Sequence, residues 1–117
     1  MHELGITKGI LDIALRTAAE RKATKVRGIR LKIGAWSSID PECINFYFEA
    51  IASGTPAEGA DIHVETIPLT AKCTACGSPF EPEDLVFRCP GCGSADVEIA
   101  SGREMYVESV EVEIDGN

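Results

Sequence analysis

Four of the five cysteines fall as Cys73-Thr74-Ala75-Cys76 and Cys89-Pro90-Gly91-Cys92, two C-x-x-C pairs with twelve residues between them. Two thiolates separated by two residues grip one ion from a tight turn, and Gly77 and Gly93 directly after each pair permit that turn. Facing each other, the two knuckles complete a tetrahedral four-sulfur cage suited to Zn(II). Iron in the same cage would make an electron carrier, and disulfides or buried free thiols are the alternative that needs no metal. The surrounding stretch holds few large apolar residues, chiefly Phe80, Leu85, Val86 and Phe87. It needs the ion as a staple, because a structural zinc supplies about 10 to 16 kcal/mol of apparent binding energy. A cage with all four positions filled by sulfur has no open site for hydrolysis, so the zinc is read as structural.

A chain of 117 residues holds one modest core, and a second only if small or stapled. No apolar run approaches the ~20 residues of a membrane helix, and the first residues lack the pattern of a secretory signal. An odd cysteine count also fits a reducing compartment, so a cytoplasmic location is expected. The formal charge of −8 repels a phosphate backbone. Between Thr70 and Arg103 the balance is also acidic, with Lys72, Arg88 and Arg103 against Glu81, Glu83, Asp84, Asp96 and Glu98, which argues against nucleic acid as a partner.

Outside the cysteine stretch the patterning is regular. From Glu3 to about Lys22, Ile6, Ile10, Ile13 and Thr17 recur at helical steps, widened by Leu11, Ala14 and Ala18. Gly5 and Gly9 weaken the first turns and predict a loosely held start. Ile29, Leu31 and Ile33 alternate with Arg30 and Lys32 as in a half-buried strand. Asp40 and Pro41 read as N-cap and first position of a second helix that places Ile44, Phe48 and Ile51 on one face and ends near Gly54. Ile62 and Val64 alternate with His63 and Glu65 in another strand, closed by Pro68. The final strand shifts its apolar parity between Val107 and Val110. The expected fold class is α+β: two helices on a three-stranded sheet, formed by residues 1–69 and 104–117, with a zinc-ribbon-like lobe inserted at 70–103.

His2 asks for an explanation, because no core requires an imidazole there. A histidine in second position blocks removal of Met1, so the terminal amine, the His2 amide nitrogen and His2 Nδ1 can close two chelate rings of the kind that suits Ni(II) or Cu(II). The amine titrates near pH 8, so affinity should rise with pH. Glu3 or Asp40 offers an oxygen to a remaining position. The plainer alternative makes His2 a surface residue, Glu3 an acid favoured by the helix dipole and Asp40 only a cap.

MHELGI, an Asp40-Pro41 start to a helix bearing FYFEAI, and paired knuckles before a final acidic strand together resemble the HypA/HybF family of hydrogenase maturation factors, in order along the whole chain. The resemblance implies a nickel metallochaperone that passes Ni(II), with a HypB-type GTPase, toward the large subunit of a [NiFe]-hydrogenase; some relatives also serve urease accessory proteins. It implies His2 as principal nickel ligand, Glu3 as a neighbour that ligates or tunes, and Asp40 as a weaker candidate. Cys73, Cys76, Cys89 and Cys92 carry over as zinc ligands. Some relatives place a histidine beside the knuckles, whereas the only other histidine here is His63.

His63 is expected at the surface of its strand and Cys43 as a partly buried, inert thiol. Trp36 and the Phe46, Tyr47, Phe48 cluster are expected to pack helix against sheet. The acidic face of Glu108, Glu111, Glu113 and Asp115 is expected to be solvated. No Ser/His/Asp or Cys/His constellation supports catalysis, so the chain reads as a carrier rather than an enzyme. The competing class is a zinc-ribbon module that binds protein or nucleic acid and has no nickel role. Monomer and homodimer both remain open, and no membrane partner is expected.

Overall fold

The computed structural model describes residues 2–84 and 86–114. In chain order its elements are α1 (Glu3–Glu20), β1 (Lys25–Gly34), α2 (Pro41–Ala52), β2 (Asp61–Ile67), β3 (Thr70–Cys73), β4 (Pro79–Phe80), β5 (Val97–Ser101) and β6 (Met105–Glu113). They make two three-stranded sheets, ordered β2-β1-β6 and β4-β3-β5. The backbone divides into two compact units: Met1–Lys32, Ser38–Glu65 and Tyr106–Asn117 form one, Ile33–Ser37 and Thr66–Met105 the other.

In the first unit the core is built from the inward faces of both helices and from β1. Ile29 and Leu31 are buried as their alternation requires, joined by Val26, and Ile33, the next in the series, is buried in the second unit. Ile44, Phe48 and Ala52 form the buried face of α2. Asp40 caps that helix, its Oδ1 accepting from the Glu42 amide at 2.9 Å, and Pro41 occupies the first position, where a missing N–H costs nothing. On the polar face of the sheet, Lys32 Nζ lies 2.7 Å from Glu65 Oε2 and 3.0 Å from Glu108 Oε2, tying one β1 residue to both flanking strands. The exposure of β6 changes parity at Glu108 and Ser109, where the apolar alternation in the sequence also breaks.

Two packing expectations are corrected. The buried stripe of α1 runs through Glu3, Thr7, Ile10, Leu11, Ala14 and Ala18, not through Ile6, Ile13 and Thr17. Ile13 is 41% exposed, and α1 stops at Glu20. The buried positions 3, 7, 10, 14 and 18 recur at steps of three and four, the helical period, on a helix that packs against α2. Thr7 tolerates full burial because its hydroxyl donates to the Glu3 carbonyl one turn earlier. Of the aromatic cluster only Phe48 enters the core. Phe46 is 69% exposed and meets Tyr47 edge-on, since it stands half a turn from Phe48. Trp36 belongs to the second unit, where its ring lies 5.2 Å from that of Phe87.

The second unit is built on β3, antiparallel to both neighbours, with Lys72 opposite Pro79 on one side and Glu98 on the other. Gly34 sits in the tightest place in this unit: a Cβ there would lie 2.1 Å from the carbonyl carbon and oxygen of Gly102. Gly102 itself adopts φ +117, a conformation open to glycine, and its own missing Cβ clears Leu69. The Gly34 amide donates to the Glu104 carbonyl and the Trp36 amide to the Gly102 carbonyl, each at 2.7 Å, tying the end of β1 to the turn between β5 and β6.

Candidate metal centres

The second unit brings the four knuckle cysteines together. Their Sγ atoms all lie within 4.8 Å of one another, with Cys73 to Cys92 at 3.6 Å and Cys76 to Cys89 at 3.7 Å. A tetrahedral ion with metal–sulfur bonds of about 2.3 Å separates its sulfurs by about 3.8 Å, so the donor set fits one such ion. The two closest approaches each join one knuckle to the other, as a shared ion demands.

Each knuckle is the same local structure made twice. Cys73 N–H donates to the Ser78 carbonyl at 3.0 Å and Cys89 N–H to that of Ser94 at 2.9 Å. Gly77 N–H and Gly93 N–H return to the Cys73 and Cys89 carbonyls, both at 2.8 Å, with φ +80 and +74. These left-handed turns place backbone amides against sulfur: Cys76 N–H on Cys73 Sγ at 3.4 Å, and Gly91 N–H on Cys89 Sγ at 3.3 Å. Such donors favour thiolate over thiol. The repeated Cys-Gly-Ser at 76–78 and 92–94 carries this symmetry in the sequence, although only its glycines drew attention there.

The electrostatics also call for a cation. The Ser78 hydroxyl and amide, followed by the Cys73 and Cys89 thiols, hold the Cys76 thiol down at about 6. For Cys92 the Ser94 amide favours ionisation, yet crowding by Cys73, burial, Cys89 and Cys76 pushes it up to about 12. Four thiolates this close repel one another strongly, and a divalent ion is what lets all of them ionise.

In the first unit, His2 is exposed immediately before α1, and its carbonyl accepts the Ile6 amide at 3.0 Å. Glu3 is buried, and its Oε2 accepts a hydrogen bond from the Asp40 backbone amide at 3.1 Å. Asp40 Oδ2 in turn faces Cys43 Sγ at 3.6 Å. Burial, with the Asp40 carboxylate next, pushes the half-buried Cys43 thiol above its ordinary 9.0, which keeps it protonated and inert. Glu3, Asp40 and Cys43 thus meet where the two helices begin. Among the described residues, His2, Glu3 and Asp40 do not converge on one point as the four cysteines do. Met1 lies outside the described residues. His63 is exposed on β2.

Comparison with known proteins agrees with this arrangement. Residues 1–112 match the family described as "Hydrogenase/urease nickel incorporation, metallochaperone, hypA". The hydrogenase maturation factor HypA of Picosynechococcus sp. is 44% identical over 96% of this chain and 99% of its own. That of Caldanaerobacter subterraneus subsp. tengcongensis is 40% identical over 97% and 100%. Two solution structures share the fold: the Ni metallochaperone HypA of Helicobacter pylori, at TM-score 0.69, 23% identity and coverage of 98% of this chain and 100% of that one, and a second HypA protein at 0.78, 24% identity and 98% of each. With a whole-length family match and relatives of this identity at either end of the same pattern, the chain belongs to the HypA family of nickel-incorporation metallochaperones.

Proposed function

We propose that this chain carries Ni(II) as cargo at its N-terminus and delivers it for [NiFe]-hydrogenase maturation, while the four cysteines hold a structural Zn(II). The observation that carries the nickel site is the Glu3 carboxylate on the Asp40 amide, which pins the beginning of α1 to the beginning of α2 and leaves the adjacent His2 exposed. His2 is the principal ligand, through its imidazole and amide nitrogens, with the amine of Met1 as a further donor. Glu3 positions the claw, and Asp40 offers an oxygen if its capping bond to Glu42 opens. Residues 1–69 and 104–117 form the nickel-binding part and 70–103 the zinc-binding part. When bound, zinc supplies folding energy and no chemistry; Cys73 and Cys89 bury it and Cys76 and Cys92 close it. Family membership supports a HypB-type GTPase and a hydrogenase large subunit as partners, a cytoplasmic setting, and a role as carrier rather than catalyst. No helix among the described residues is long and apolar enough to cross a membrane.

The test is calorimetric titration of Ni(II) into the zinc-loaded protein and its His2→Ala variant. Loss of a neighbour to a metal ligand costs about 10- to 100-fold in affinity, so loss of the ligand itself is expected to cost at least on the order of 100-fold. Equal affinities would remove the N-terminal site.

A further inference from the structure

In the second unit, Phe80, Pro82, Val86 and Pro90 line a cleft of about 410 Å³, with carboxylates of Glu83 and Asp84 at its edge. Val86 is 56% exposed. An exposed valine is ordinary, but here the three residues that follow it are committed elsewhere. Phe87 stacks against Trp36, the Arg88 guanidinium donates to the Gly93 carbonyl at 3.3 Å, and Cys89 is buried among the metal ligands. On the other side, the Val86 amide closes a turn onto the Glu83 carbonyl at 2.9 Å. Val86 is therefore held outward by a frame that the metal completes, the way an interface presents an apolar anchor.

Charge selects the occupant. Three acids, Glu81, Glu83 and Asp84, line the cleft against one cation, Arg88, whose hydrogen bond to the neutral Gly93 carbonyl leaves its charge in place, so acid outnumbers base three to one. A second copy of this chain, at formal charge −8, meets like charge, as does an anionic lipid surface. We infer that this cleft docks a cationic protein segment, one aliphatic side chain flanked by lysine or arginine, through apolar contact with Val86 and Phe80 and complementary charge at the rim.

The experiment is an amide NMR titration of the zinc-loaded protein with a capped synthetic peptide, leucine between two lysine pairs. Two control peptides replace leucine by glycine or all lysines by glutamates. Saturable shifts are expected at Phe80, Val86 and Arg88, weakened about tenfold by glycine in the peptide or by Val86→Ser in the protein. Glu83→Gln combined with Asp84→Asn should weaken binding about threefold and flatten its salt dependence. Zinc content checks that the variants keep their fold; should Val86→Ser lose zinc, the glycine peptide on the unaltered protein decides alone. Equal binding of the leucine and glycine peptides overturns the inference. So do shifts confined to β6, shifts at the cleft produced by raising the protein concentration alone, or shifts at the cleft produced by phosphatidylglycerol vesicles with no peptide present. The nickel titration is independent of every one of these outcomes.

Discussion

The Glu3 carboxylate accepts the backbone amide of Asp40 at 3.1 Å, so an acid in the first turn of one helix completes the cap of another. A residue expected either to ligate nickel or to tune its site is engaged with the backbone of residue 40. If it acts as a strut, Glu3→Gln, which keeps an acceptor, retains nickel affinity within about threefold, whereas Glu3→Ala loses roughly tenfold. Equal and large losses in both variants, read by calorimetry, would make it a direct ligand.

Removing the structural ion should act on one unit only. Dialysis against a strong chelator is expected to collapse amide dispersion for residues 70–101, because about 10 to 16 kcal/mol of apparent binding energy disappears from a unit with little apolar core. Amides of Ile10 to Ala18, held by a core that contains no cysteine ligand, should keep their dispersion. Cys73→Ser should lower zinc stoichiometry and Cys43→Ser leave it unchanged, as metal analysis will show.

Two glycines should respond to alanine with opposite signs. Gly34→Ala drives a Cβ into the Gly102 backbone, and neither side is a flexible chain end that can yield. A loss of roughly 3 kcal/mol or more is expected in urea denaturation. Gly9, inside α1, has open space where its Cβ would be, and Gly9→Ala should gain roughly 0.5 to 1 kcal/mol.

The bridge at Lys32 sets a pH window. Lys32 holds Glu65 below the ordinary 4.5, so this carboxylate contributes stability above that pH and loses it as pH falls through the lowered value. Lys32 itself is raised above 10.5, by Glu65 first and then Glu108, so its share is complete below 10.5 and is lost only beyond its raised value. Glu65→Gln should therefore lower the urea midpoint at pH 6, with the difference from the unaltered protein shrinking below pH 4 and both proteins measured with zinc content monitored.

Much of this molecule was legible because short-range chemistry fixed it. The Asp40 cap, the β1 alternation and the knuckle spacing each act over a few residues, and each stands in the structure where the sequence placed it. The inward face of α1 was legible in part: Ile10, Leu11, Ala14 and Ala18 are buried as the periodicity requires, whereas Ile13 is 41% exposed and the stripe continues through the polar Glu3 and Thr7, which a search for apolar residues passes over. Trp36 was assigned to helix packing on size alone, and its partner Phe87 lies fifty-one residues away with no pattern linking them. The same holds for Glu3 and Asp40, whose contact joins a side chain to a backbone amide and so leaves no mark in residue types. The short strands β3, β4 and β5 run for four, two and five residues, so the alternation of Ala71 with Cys73 and of Val97 with Ile99 is too brief to stand out in the sequence.

Each knuckle contributes one sulfur turned inward, Cys73 or Cys89, and one turned to water, Cys76 or Cys92. The cage therefore has a sheltered flank and an open flank. Competing thiols, chelators and peroxides would meet Cys76 and Cys92 first, with Cys73 and Cys89 as the sheltered pair that would hold an ion longest. A cell that strips and refills this protein would work on it from that side.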